Sequence, residues 1–161
     1  MAETASTIIP RRMEPTEDMA PVHTLLVQTF AYMEGRIDPP SSLDRMDVGD
    51  LARQAALSEI WVIDGPEGPL ACMILTPQRD TLYLGKLAVA PVARGQGLAR
   101  MMVEHSLIRA RALGLPSVSL QTRMELVENH ATFVAMGFTM TGTTAHPGFD
   151  RPTSVSFTQT V

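Results

Sequence analysis

Two glycines one residue apart stand directly before the longest amphipathic stretch of the chain, in Val92-Ala93-Arg94-Gly95-Gln96-Gly97-Leu98-Ala99. Glycine reaches backbone conformations closed to other residues, so the chain can turn tightly here and present consecutive N–H groups. The first turn of a helix leaves donors unpaired and carries partial positive charge, which suits such a junction to a phosphate or diphosphate. An ordinary glycine-rich strand-to-helix turn is the alternative reading. Two nucleotide motifs are absent: no G-x-x-x-x-G-K-[ST] run occurs, and Arg100 stands where the dinucleotide fingerprint needs its last glycine.

The flanking sequence alternates between helical and strand periods. Thr7 to Arg12 reads as a short opening strand, and Thr16 as the N-cap of a helix over about 16–31 carrying Met19, Val22, Leu26 and Phe30. Tyr32 to Glu59 is an irregular loop with one helix around Leu51, Ala55 and Ala56. Ile60–Asp64 and Leu70–Thr76 frame the turn-rich Gly65-Pro66-Glu67-Gly68-Pro69 as a hairpin, and Thr81–Val89 is a further strand ended by Pro91. In the helix Leu98–Leu113, the residues Leu98, Met101, Met102, His105, Ile108 and Ala112 are predicted to share one face, with Gly114 and Pro116 as stop signals. Strand Val118–Thr122, helix Glu125–Met136, and strands Phe138–Thr143 and Thr153–Thr160 complete the order β-α-α-β-β-β-α-β-α-β-β. Such an order implies an α/β or α+β sheet with helices on its faces.

Composition excludes several classes. Hydrophobic residues make up 45% of the 161 positions, enough for a packed core. The 13 Lys and Arg against 17 Asp and Glu leave a net charge of −4, whereas nucleic-acid and membrane-surface binding need a basic surplus. The lone Cys72 excludes an intrachain disulfide framework and multi-cysteine metal sites, and within its apolar strand it reads as a small buried hydrophobe. The longest apolar run, Leu70 to Leu75, is far short of the ~20 residues needed to span a bilayer, and Met1-Ala2-Glu3-Thr4 has no leader character. A cytoplasmic domain without nucleic-acid, membrane or metal partners is the expectation.

Arg94-x-x-Gly97-x-Ala99 matches the [QR]-x-x-G-x-[GA] signature of the Gcn5-related N-acetyltransferase (GNAT) superfamily. Upstream, Leu87-Ala88-Val89-Ala90-Pro91 resembles the family's fourth strand. Downstream, Asn129-His130-Ala131-Thr132-Phe133-Val134-Ala135-Met136-Gly137-Phe138 resembles N-x-x-x-Y-x-x-x-G-F. The resemblance implies one N-acetyltransferase domain over residues 1–161. Its fold would be a central mixed, mostly antiparallel sheet of about seven strands flanked by helices, with strands four and five splayed. Acetyl-CoA is the implied cosubstrate. The amides of Arg94, Gly95, Gln96, Gly97, Leu98 and Ala99 would hold its diphosphate, and Leu87, Ala88 and Val89 would pair with the pantetheine arm. Val118–Gln121 would line the other wall, the Leu87 amide would serve as oxyanion donor, and Asn129 and Phe133 would lie at the thiol end. Homodimers through the C-terminal strands are common in similar proteins.

The implied reaction is direct attack of an amine on the thioester, which needs a base, an oxyanion donor and an acid. The chain departs from the family at two of these positions. Phe133 replaces the tyrosine that often serves as acid, and Tyr83 stands where some branches carry a catalytic glutamate. These departures support a second hypothesis, a non-catalytic acyl-CoA-binding or sensing module of the same fold; a plain nucleotide-binding domain is a third. His146, between the last two strands, is placed to border the acceptor pocket as a base or to be a solvated loop histidine. His105 reads as a packed core residue. Tyr32, Glu34, Arg36 and Asp38 read either as recognising a polar amine acceptor or as a solvated loop, and Met101, Met102, Met124, Met136 and Met140 flank the expected cofactor cleft, where core packing also accounts for them. Net acidity favours a cationic acceptor through steering.

Overall fold

A computed structural model describes residues 9–161. In chain order its elements are β1 (Arg11–Arg12), α1 (Ala20–Phe30), α2 (Val48–Leu57), β2 (Glu59–Gly65), β3 (Gly68–Pro77), β4 (Leu82–Val89), α3 (Leu98–Ala112), β5 (Ser117–Arg123), α4 (Val127–Ala135), β6 (Thr139–Thr144) and β7 (Ser154–Thr160). The order is the one anticipated from periodicity. Of the expected opening strand, Arg11–Arg12 is present, while Thr7 and Ile8 lie outside the described residues. Helix α1 begins at Ala20, not at a Thr16 cap, because Pro21 has no N–H and is tolerated only in the first turn. Asp18 instead accepts the Ala20 N–H at 3.0 Å. Helix α2 is fixed by a reciprocal capping box between Asp47 and Asp50.

The seven strands form one mixed sheet in the order β1-β2-β3-β4-β5-β7-β6. Every neighbouring pair is antiparallel except β4 and β5. Those two are parallel and pair only at Leu82–Val118 and Tyr83–Ser119, after which they separate. Central strands show the two-residue alternation of a sheet covered on both faces. From β3, Ala71, Met73 and Leu75 enter a core under α3, while Cys72 and Ile74 enter a second core with Val22, Leu26 and Leu51 of α1 and α2.

Helix α3 is rotated from the predicted face. Leu98, Met102, Val103, Ser106 and Ala110 are buried, whereas Ile108 is 59% exposed and Ala112 is also exposed. The error lay in counting Ile108 as core because it is apolar. The sheet instead selects the stripe running through Ser106, whose hydroxyl is satisfied by the Val103 carbonyl at 2.6 Å. His105 is half-buried and packs against Trp61, with ring centroids 4.2 Å apart and planes tilted by 59°.

Candidate active site

Where β4 and β5 part, a cleft of about 920 Å³ opens between them, bounded by α4 and by the segment joining α1 to α2. The two strands reach it differently. On β4 the register against β3 slips between Cys72–Ala88 and Ile74–Gly85, leaving Lys86 and Leu87 as a bulge with Lys86 at φ 51°. The Lys86 carbonyl lies 3.7 Å from Cys72 Sγ. In a trans peptide the following N–H points the opposite way, so the Leu87 N–H is turned away from Cys72. Leu87, Ala88 and Val89 line the cleft as expected. On β5 the wall is Leu120–Arg123, not Val118–Gln121, because Val118 and Ser119 are engaged with β4 at the closed end.

The glycine turn stands at the head of α3. Gly95 and Gly97 have φ of +80° and +77°, and a Cβ built on either would meet no protein atom within 4 Å. The Arg94 N–H donates to the Pro91 carbonyl at 3.4 Å, and the next closed bond is Met101 N–H to the Gly97 carbonyl at 3.0 Å. The amides of Gly95, Gln96, Gly97, Leu98, Ala99 and Arg100 therefore have no acceptor among the described residues. These are six consecutive donors at the positive end of a 15-residue helix. The side chains of Arg94 and Ala99 line the cleft beside them, while the Leu98 side chain is buried in the core and presents only its backbone. A diphosphate fits this turn: the donors are unpaired, and the space a Cβ would fill is open.

Tyr83, at the vertex of the split, is half-buried and lines the cleft, its ring alongside Gly85. Burial raises its hydroxyl pKa above the usual 10, partly offset by the Gln121 backbone, so it is a neutral donor and not a base. Phe133 lines the cleft from α4 and packs against Phe138 and Phe157 at 5.9 and 6.3 Å, a hydrophobic wall with no proton to give. Asn129 also lines the cleft, and its side-chain amide donates to the Tyr32 hydroxyl at 3.2 Å.

His146 is half-buried and lines the cleft. Its backbone N–H donates to Thr153 Oγ1 at 2.9 Å and its Nδ1 meets the same oxygen, while Thr153 directs its own hydroxyl to the Thr144 carbonyl at 3.4 Å. Nδ1 is thus taken up by Thr153, and Nε2 is left without a protein partner among the described residues. Burial and the Arg123 charge lower the His146 pKa below 6.5, against an opposing pull from Glu125.

The expected acceptor residues divide. Tyr32 lines the cleft. Arg36 lies outside it, over the Tyr32 ring at 5.7 Å and paired with Glu128 of α4 at 2.7 Å. Glu34 instead lines a neighbouring cleft of about 420 Å³. Of the methionines proposed to flank the site, Met136 does so, joined by Met33 and Met46, whereas Met140 is 62% exposed. Sequence reasoning missed Lys86 and Arg123. Gly85 inside a strand pattern was the available signal for a bulge beside Lys86; nothing local marks Arg123. Cys72 is buried as anticipated, its thiol pKa pushed up to about 12 by burial, which leaves it inert.

A parallel strand pair split beyond two residues, with a glycine-bounded helix head beside the gap, is the architecture of an acyl-CoA N-acyltransferase fold, and solved structures share it. Similar folds include a GNAT family acetyltransferase from Listeria monocytogenes 4b F2365, with TM-score 0.71 and 17% identity over 96% of this chain and 95% of that one. A GNAT family acetyltransferase from Elizabethkingia anophelis, solved with acetyl-CoA bound, gives 0.69 and 14% identity over 97% and 99%. The Bacillus subtilis acetyltransferase in complex with CoA gives 0.68 and 13% identity over 96% and 99%. No curated protein matches the sequence. The acetyltransferase (GNAT) family model matches residues 21–138, and the chain belongs to that family. Among the described residues no helix is long and apolar enough to cross a membrane.

Proposed function

We propose that the protein transfers the acetyl group of acetyl-CoA to an amine by direct attack. The observation that carries this reading is the run of unpaired amides from Gly95 to Arg100 opening beside the β4–β5 gap. Bound there, acetyl-CoA supplies an activated thioester. The turn amides and Arg94 hold its diphosphate, and Leu87–Val89 offer backbone to the pantetheine arm along the diverging edge of β4. The Leu87 N–H, turned away from Cys72 at the bulge, serves in this reading as donor to the developing oxyanion.

The net reaction forms an N–C bond, breaks a C–S bond and takes two protons off the ammonium nitrogen, one released to solvent before attack and one, lost from the tetrahedral adduct, ending on the coenzyme A sulfur. His146, whose charged form is disfavoured by burial and by Arg123, takes the first of these protons on its Nε2 edge and passes it to solvent. Tyr83, held as a neutral phenol, gives its proton to the departing sulfur in place of the donor missing at Phe133 and regains the proton that the adduct nitrogen loses. The test is release of free thiol from acetyl-CoA across a panel of amines. Thiol release with at least one amine is the expected result. Acetyl-CoA binding without turnover on any of them overturns the enzymatic reading in favour of a sensing module.

A further inference from the structure

The acid–base balance of the cleft is opposite to that of the chain. Its charged lining residues are Arg45, Lys86, Arg94, Arg123 and Glu128, and Glu128 is already neutralised by Arg36 at 2.7 Å. Arg94 belongs to the glycine turn. The other three cations gather on the opposite side, against the segment that joins α1 to α2. Lys86 Nζ donates to Ser42 Oγ at 2.8 Å. Arg123 donates to the carbonyls of Pro39 and Pro40 at 2.7 and 3.1 Å. Arg45 ends the short 3-10 turn Ser42–Arg45.

None of these three makes an ion pair among the described residues. Lys86 and Arg123 are both half-buried, and each is bound to neutral oxygens only. Burial lowers both pKa values, and the charge of Arg123 lowers that of Lys86 further. Asp38 and Glu125 favour the Arg123 charge from a distance, but neither lines the cleft: Asp38 pairs with Arg151 at 3.3 Å and Glu125 accepts the Asp38 N–H at 3.0 Å. Half-buried, mutually repelling cations with no carboxylate in contact are costly, and an anion placed between them lowers the cost. The steering expected from net acidity, toward a cationic acceptor, is therefore reversed at the site.

We infer that the acceptor is an amine that also carries a carboxylate, the chemistry of an amino acid or short aminocarboxylate, with Lys86 and Arg123 binding the carboxylate on the side of the cleft away from the glycine turn. This rests on the transferase reading above. The test compares amino acids with their own carboxamides as acceptors by thiol release. In parallel, the coenzyme A-loaded protein is titrated with the same pairs by calorimetry. The carboxylate member is expected to be favoured at least about tenfold in both arms, as for a charge-assisted contact in a partly dry site.

Lys86→Asn suits the left-handed backbone position while removing the charge, and Arg123→Met removes the other cation. Each is expected to bring the preference down to near unity while the affinity for acetyl-CoA stays as in the parent. Arg123 also ties down the Pro39–Pro40 segment, so Lys86→Asn keeps the test valid if Arg123→Met fails to fold. Equal use or binding of the carboxamides, or a preference for polyamines, overturns the inference. Loss of acetyl-CoA binding in the parent protein would instead overturn the cofactor assignment, which this comparison leaves distinct.

Discussion

Replacing Gly97 with alanine separates binding from folding in one experiment. At φ +77° an L side chain costs about 1–2 kcal/mol. For a chain of this size, that lowers the melting temperature by about 2–8 °C. The added methyl clashes with nothing, since no protein atom lies within 4 Å of it. It does occupy the space through which diphosphate oxygens must come to within about 3 Å of the turn amides. Losing two charge-assisted bonds at roughly 1.5–3 kcal/mol each weakens acetyl-CoA binding by about 10²–10⁴-fold. Gly114 supplies the control. Its φ is +72°, its Cβ position is equally open, and it stands at the other end of α3, about 22 Å away by helix rise. Gly114→Ala should therefore cost the same stability and no affinity. Calorimetric titration with acetyl-CoA, alongside thermal melts, reads both effects. Full affinity in Gly97→Ala, or equal losses in the two variants, would refute the cradle.

Two further predictions concern histidines. If His146 Nε2 is the base, kcat/KM falls only as pH drops below 6.5, because its pKa is lowered, and His146→Gln removes that acid limb together with about 10²–10⁴ of rate; an unchanged pH profile in the variant would contradict the assignment. His105 has Nε2 without a partner, and burial, then the Arg109 charge, lowers its pKa below 6.5 against the pull of Glu59. The unfolded chain then binds the proton more readily, so stability is intact above pH 6.5 and declines below it. Melting curves should show a smaller loss between about pH 7 and about pH 5.5 in His105→Leu than in the parent, and equal losses would sink this account.

Much of the half of the cleft proposed to hold the cofactor was legible because it is built from backbone. A turn needing positive φ calls for glycine, so Gly95 and Gly97 announce it in the sequence, and the helix that follows is amphipathic enough to locate. Element order was legible for the same local reason. The half proposed for the acceptor was not, because its side chains meet only through tertiary structure. Lys86 is brought in by a bulge and Arg123 by the end of β5, and both are held by carbonyl or hydroxyl oxygens from a loop whose composition is unremarkable. Glu34 and Arg36 lie two and four residues after Tyr32, yet neither joins it in the cleft, since the chain directs Arg36 toward α4 and Glu34 toward a neighbouring hollow. The burial stripe of α3 was misplaced because the sheet beneath it, not the apolarity of Ile108 or Ala112, decides which side is covered. Whole-chain charge is a poor guide for the same reason: the chain is net acidic, yet most of the charged residues lining the cleft are cationic.

Hydrogen exchange of the backbone amides from Gly95 to Arg100, followed with and without coenzyme A, tests the central claim most directly. In the free protein these amides have no acceptor and should exchange rapidly, and bound coenzyme A should slow them while the amides around Gly114 are unaffected. Coenzyme A binding that leaves residues 95–100 exchanging as fast as before would contradict the account.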